Sequence, residues 1–159
     1  MPPRPLAPGD APWTLALNAA FVAMLSPLTP ARFEALRRGA WRATAVGTQA
    51  FLLAFDEGAA YDSPNFLWFR ARYPRFVYVD RVVVAPAARR AGCARALYAD
   101  LIGCAEASGR DLIACEVNLD PPNPASDAFH EALGFVPVGE AGVGGKRVRY
   151  MARGGRAAA

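Results

Sequence analysis

The stretch Phe76–Leu101, FVYVDRVVVAPAARRAGCARALYADL, limits the fold more than any other part of the chain. Phe76–Val84 is almost continuously apolar and rich in Val, which reads as a central strand covered on both faces. Its alternation places Phe76, Tyr78, Asp80, Val82 and Val84 on one face, and Val77, Val79, Arg81 and Val83 on the other. Pro86 punctuates the turn that follows, and the loop Arg89–Ala94 opens directly into a helix. Ala94, Leu97, Tyr98, Leu101, Ile102 and Ala105 keep helical spacing until Ser108-Gly109. Asp111–Val117 is the next strand. A strand–helix–strand unit of this kind implies parallel pairing through a right-handed crossover, with ligands expected beyond the C-terminal ends of its strands. A helix entered through a glycine-containing loop presents unpaired N–H groups and the positive end of its dipole, which suits a phosphate.

The flanking segments give a mixed α/β order. Asp10 caps a first helix, with Pro12 in its first turn, that carries Leu15, Asn18, Ala19, Phe21, Val22 and Leu25 up to Ser26-Pro27. Thr29-Pro30 starts a second helix through about Arg38. Trp41–Val46 and Thr48–Phe55 read as strands around Gly47. Asp56–Asn65 is a turn-rich loop, and Phe66–Tyr73 supplies one or two helical turns. Beyond Val117, the loop NLDPPNPA leads to Ser126 as N-cap of a helix through Leu133, closed by Gly134. Phe135–Val138 and Arg147–Met151 form a final pair of strands. One domain is expected over residues 1–159, with 1–9 and 153–159 flexible.

Composition excludes several functions. No apolar run is long enough for a bilayer span, and the N-terminus lacks a signal-type apolar region, so a cytoplasmic protein without a membrane partner is expected. The net charge of +4 comes from dispersed arginines, with Lys146 the sole lysine. Nucleic-acid binding would call for a patch, so none is expected. Cys93, Cys104 and Cys115 are odd in number and lack C-x-x-C spacing, which argues against a disulfide framework or zinc site and for free thiols. His130 is the single histidine, so no metal centre is expected.

Two motifs in register carry a resemblance. Arg89-Arg90-Ala91-Gly92-Cys93-Ala94 follows the pattern Q/R-x-x-G-x-G/A after Val84-x-Pro86, and Asn123, Ser126, Phe129, His130 and Gly134-Phe135 follow N-x-x-A-x-x-L-Y…G-F. Over roughly Phe76–Phe135 the chain resembles the GNAT superfamily of acetyl-CoA-dependent N-acetyltransferases, and looks like one of its bacterial branches. The departures are His130 where the family has its catalytic tyrosine, and Ser126 at a position usually held by another small residue. The resemblance implies a central mixed, mostly antiparallel sheet flanked by helices, with a parallel pair at the cofactor site. It implies acetyl transfer from acetyl-CoA to the amine of a small molecule, by direct attack in a ternary complex. Alternatives on the same fold are a non-catalytic acyl-CoA-binding module and a protein lysine or N-terminal acetyltransferase.

The resemblance also assigns residues. Backbone N–H groups of Gly92, Cys93, Ala94 and Arg95 cradle the pyrophosphate, with Arg89 or Arg90 pairing to its oxygens. Val82, Val83 and Val84 lend their backbone to the pantetheine arm and to the thioester carbonyl. Asn123, Ser126, Phe129 and His130 complete the cofactor surface. Amine acetylation needs a neutral amine and hence a base. Asp80, a carboxylate on an apolar strand, is the first candidate and Glu116 the second; the alternative is that Asp80, Arg81 and Glu116 form structural ion pairs. His130 is the candidate acid for the leaving thiolate, with Tyr150 and Tyr78 as substitutes. Tyr61, Asp62, Asn65 and Trp68, with Tyr78 and Asn118, are the candidate acceptor-binding residues. A homodimer is allowed for.

Overall fold

Short runs of Ala, Val, Leu and Phe, broken by glycine turns, supply one seven-stranded sheet in the computed structural model, which describes residues 2–21 and 25–154. The strands are β1 (Arg4–Pro5), β2 (Arg42–Val46), β3 (Ala50–Asp56), β4 (Val77–Val84), β5 (Ile113–Asn118), β6 (Val136–Val143) and β7 (Lys146–Arg153). They lie in the order β1-β2-β3-β4-β5-β7-β6, antiparallel throughout except for β4 with β5. The expected mixed sheet with one parallel pair is therefore present. Among the described residues five α-helices cover it: α1 (Ala11–Ala19), α2 (Pro30–Gly39), α3 (Pro64–Arg70), α4 (Cys93–Ala107) and α5 (Pro124–Ala132).

Each face of the sheet buries its own cluster. Phe33 and Leu36 of α2 and Phe66 and Phe69 of α3 pack with Phe51, Leu53, Phe55, Tyr78 and Tyr150 on one face. Leu97, Tyr98 and Leu101 of α4 pack with Leu52, Val77, Val79, Ile113, Cys115 and Met151 on the other. This two-sided cover is why β4 and β5 read as nearly continuous apolar runs.

Two irregularities in β4 shape everything that follows. Arg81 stands opposite Leu53 and Val79 opposite Ala54, so Asp80 is an extra residue in the strand, a β-bulge. The simple alternation expected from sequence fails there. Arg81 and Val83 join the face of Tyr78, while Val82 and Val84 pack toward α4. The second irregularity is a divergence. Parallel pairing is confined to Val77–Ile113 and Tyr78–Ala114. Beyond it β5 stays with β7 as far as Asn118, and β4 stays with β3 as far as Val84. No described strand pairs with the edge of β4 from Val79 to Val84.

Other expectations shift by a few residues. Asn123, not Ser126, caps α5: its side-chain oxygen accepts from the Ser126 N–H at 3.2 Å. The first helix ends at Ala19 rather than reaching Leu25, and Val22 lies outside the described residues. Thr29 caps α2 as expected, accepting from the Arg32 N–H at 3.1 Å. The flexible leader expected over 1–9 is instead seated. Arg4–Pro5 pairs with β2, and Arg4 forms a bidentate contact with Asp10, both bonds 2.9 Å. Asp10 also accepts from the Ala7 N–H and the Trp13 indole, each at 2.8 Å. These donors, Arg4 foremost, hold its carboxyl well below the usual range. At the other end Arg153 belongs to β7, and residues 155–159 lie outside the description.

Candidate active site

A cavity of about 420 Å³ opens on the α1–α3 face of the sheet, where β4 and β5 part. Its floor is built from β4 and β5: Tyr78, Asp80, Arg81, Glu116 and Asn118 line it. The loop after α1 contributes Leu25 and Ser26, the segment before α3 contributes Tyr61–Asn65, α2 contributes Arg32, and the β6–β7 hairpin contributes Val143, Lys146 and Val148. Tyr61, Asp62, Asn65, Tyr78 and Asn118 thus line a common cavity with both carboxylate candidates. Trp68 does not. It stacks on Tyr150 with ring centroids 4.2 Å apart, under the Arg72 guanidinium at 3.9 Å, because α3 turns that side chain toward β7.

Asp80 and Glu116 sit in opposite chemical situations. The bulge lets adjacent residues share a face, so Arg81 Nε donates to Asp80 Oδ2 at 3.0 Å. Tyr61 donates to the other oxygen at 2.6 Å. Arg81 is itself buried and donates to the Asn18 side chain at 2.9 Å and the Ser26 carbonyl at 3.2 Å. Each Asp80 oxygen thus already accepts from one of these donors, and the structural ion pair weighed for it exists. Glu116 is held by neutral donors and, among the described residues, by no arginine. Tyr78 donates to its two oxygens at 2.7 and 2.9 Å, and the Asn65 amide donates at 3.1 Å. Tyr150 fixes that amide by donating to its oxygen at 2.8 Å. Burial pushes the Glu116 carboxyl up to about 8; the Tyr78 hydrogen bond opposes this and the Asp80 charge adds to it. A carboxyl that titrates near neutrality, aimed into a cavity, is suited to accept a proton.

His130 is placed differently from the acid role expected of it. Nδ1 sits 2.7 Å from the Ser126 carbonyl and Nε2 sits 2.9 Å from the Tyr98 hydroxyl, so both ring nitrogens are occupied. The ring packs edge-on against Tyr98, Phe129 and Phe135 at the α4–α5 contact. Burial lowers its pKa, which favours the neutral ring. It lines neither the cavity above nor the cleft described next. This side chain is consumed in the core.

The second cleft, about 490 Å³, lies at the N-terminus of α4, between Val46–Gln49 and Ala91, Gly92, Cys93 and Ala96. Gly92 has φ +80°, a left-handed conformation that only glycine adopts cheaply. A Cβ there would meet nothing within 4 Å, so the conformation rather than local crowding requires the glycine. The first bond of the helical ladder runs from the Ala96 N–H to the Gly92 carbonyl. The N–H groups of Cys93, Ala94 and Arg95 precede it and point out of the helix start. Arg89 and Arg90 are exposed on the same loop, with the Arg89 guanidinium 5.5 Å from the Phe21 ring centre. Cys93 is buried in the first turn, and Cys104 and Cys115 are also free thiols. On α5, Asn123 is occupied as the cap, the Ser126 hydroxyl lies 3.3 Å from His130, and Phe129 packs on Tyr98.

The sequence profile of the acetyltransferase (GNAT) family matches residues 34–135. The chain belongs to the GNAT acetyltransferase family. It is an acetyl-CoA-dependent acyltransferase. The GNAT features just described fit that donor: an open left-handed glycine, a row of unsatisfied N–H groups, and an unpaired strand edge leading to them through Val84 and the 3₁₀ turn Pro86–Ala88. No curated protein sequence matches the chain. Solved GNAT structures share its fold. Naa20 from Chaetomium thermophilum, in complex with a bisubstrate analogue, is 16% identical with TM-score 0.75, covering 99% of this chain and 88% of its own. A ribosomal-protein-alanine N-acetyltransferase from Brucella melitensis is 20% identical with TM-score 0.72, covering 97% and 99%. YncA of Salmonella typhimurium, a putative acetyltransferase solved with acetyl-CoA, is 19% identical with TM-score 0.68, covering 96% and 92%.

Sequence reasoning placed Arg81 only in a structural ion pair, and missed Arg32 and the hairpin residues Val143, Lys146 and Val148. Arg81 carried a signal, a charge beside Asp80 in an apolar strand. Arg32 carried none, because only the packing of α2 brings it to the cavity. Among the described residues no helix is long and apolar enough to cross a membrane, and no cluster of three or more His, Cys, Asp or Glu is arranged to hold a metal.

Proposed function

We propose that this GNAT enzyme acetylates the amine of a small polar molecule, with Glu116 as the base. The observation that carries this reading is the Glu116 carboxyl on the floor of a 420 Å³ cavity, held by Tyr78 and Asn65 and titrating near 8. That volume is within the range of small-molecule sites, about 300–1,000 Å³.

When bound, acetyl-CoA supplies the acetyl group as an activated thioester. Gly92 to Arg95 hold its diphosphate through backbone N–H groups, helped by Arg89 and Arg90, while Val82–Val84 offer backbone partners along the free edge of β4. In the net reaction an acceptor ammonium and the thioester become an amide, a thiol and one proton. An alkyl ammonium is the majority species near neutral pH and has no lone pair. Glu116 Oε accepts its proton, directly or through one water, leaving the neutral amine in place. Tyr78 and Asn65 orient that carboxylate, and Asp80 with Arg81 and Tyr61 braces the bulge that forms the floor. Among the described residues no cysteine lines this cavity, which supports direct transfer without an acyl-enzyme.

Thiol release from acetyl-CoA across a panel of small amines, measured beside peptide α-amines and lysine peptides, tests the reading. Turnover with small amines is expected. Turnover confined to peptides would overturn the choice of acceptor, and binding of coenzyme A without turnover of any acceptor would favour a non-catalytic module.

A further inference from the structure

The acceptor cavity is polarised, and the polarity has a direction. The acceptor for an ammonium proton, Glu116 on β5, lies on the floor, with the ion-paired Asp80 carboxylate beside it. Cations lie at the rim. Arg32, from the first turn of α2, has nearly half its side chain exposed at 48%, and Lys146 opens the hairpin strand β7 as an exposed residue. Arg81 also lines the cavity, but it is spent on Asp80, Asn18 and Ser26.

Arg32 keeps most of its capacity. Its nearest carboxylate, Asp62, is 3.9 Å away and 94% exposed, a geometry in which an ion pair is weak. Among the described residues its guanidinium donates no hydrogen bond within 3.5 Å; it rests over the Tyr61 ring, 5.7 Å from the centroid. The far end of that same ring donates to Asp80. One tyrosine side chain therefore spans from the rim cation to the floor carboxylate and sets the distance between the two ends. A guanidinium with open donor positions matches a carboxylate or phosphate in a bidentate fork.

We propose that the acceptor is a short amphoteric molecule whose amine lies at Glu116 and whose anionic group, a carboxylate or a phosphate, is held at the rim by Arg32. This rests on the small-amine reading above. It excludes simple alkylamines and polyamines as good substrates, because they would put either nothing or a cation beside Arg32 and Lys146.

The test compares matched probes. Straight-chain amino acids of two to six carbons, the aminoalkyl phosphates of the same lengths, and the corresponding 1-aminoalkanes and α,ω-diamines are assayed by thiol release. At least one anionic series is expected to exceed the matched amine in kcat/KM by about tenfold or more, the scale of one charge-assisted contact. Arg32→Gln is expected to narrow that ratio to about threefold, mainly through KM, and Arg32→Glu to shift preference toward the diamines. The carboxylate and phosphate arms decide which anion is preferred. Amines matching or exceeding every anionic partner would overturn the inference and leave the small-amine reading intact. Should neither series be acetylated while peptides are, both fall. An Arg32→Gln enzyme with the wild-type ratio would also overturn it, and the wild-type comparison decides alone if that variant does not fold.

Discussion

Glu116 is held where it resists ionisation, and this has a cost in stability that can be read against pH. Its folded pKa is raised from 4.5 to about 8. The folded state therefore binds the proton more tightly than the unfolded chain, and the stability this contributes is full below about 4.5 and lost as pH rises through about 8. Glu116→Gln is a neutral isostere and escapes that loss. The difference in Tm between Glu116→Gln and wild type should become more favourable to the variant from pH 5 to pH 9; a difference constant with pH would contradict the assignment. His130 gives the opposite prediction. His130→Phe removes the partner of the Tyr98 hydroxyl, buried and 2.9 Å away, so unfolding free energy should fall by about 1–3 kcal/mol. Its kcat should stay within about threefold of wild type, since the ring lines neither cavity nor cleft. A hundredfold loss of kcat in a stably folded His130→Phe would return that residue to the chemistry. The motif spacing singled out this position, but only the packing of Phe129, Phe135 and Tyr98 around the ring reveals that it is spent.

At the scale of elements, the entrance to α4 and the bulge in β4 do the positioning. The Arg-rich loop, its glycine and the helix after it were legible because the constraint is local: a left-handed residue followed by amphipathic spacing. The crossover to β5 was legible for the same reason. Gly92→Asp should therefore weaken coenzyme A binding by about a hundredfold or more by calorimetry, since it strains φ +80° and sets a carboxylate beside the phosphate donors. Unchanged affinity in that variant would remove the diphosphate from this loop. The bulge was not legible. Periodicity of two assumes that no residue is added, and Asp80 is the added one. Placing it on the face of Val82 and Val84, and Arg81 on the opposite face, followed from that assumption. The same limit applies to Trp68, whose aromatic character suggested an acceptor site while its stacking on Tyr150 is decided by how α3 docks on β7. Asn123 likewise carries a local role, capping α5, that the motif alone does not separate from cofactor contact.

For the whole molecule, the separation of β4 from β5 is the organising feature. The strands pair for two residues and part, while their outer neighbours keep the sheet intact. The parting leaves a cavity on one side, floored by Asp80 and Glu116, and a strand edge that runs on into the N-terminus of α4. One strand thus joins the cleft at α4 to the cavity, an arrangement that suits the proposed transfer inside a ternary complex. Family membership follows from the profile match over 34–135, and the choice of base follows from this geometry. The most direct test is the pH dependence of kcat/KM for wild type and Glu116→Gln, assayed with the best small amine. Wild type should rise with pH and level off above about 8, as the Glu116 carboxylate forms, while Glu116→Gln should lose about a hundredfold or more and lack that inflection. A Glu116→Gln enzyme that keeps both the wild-type rate and its inflection near 8 would contradict the account.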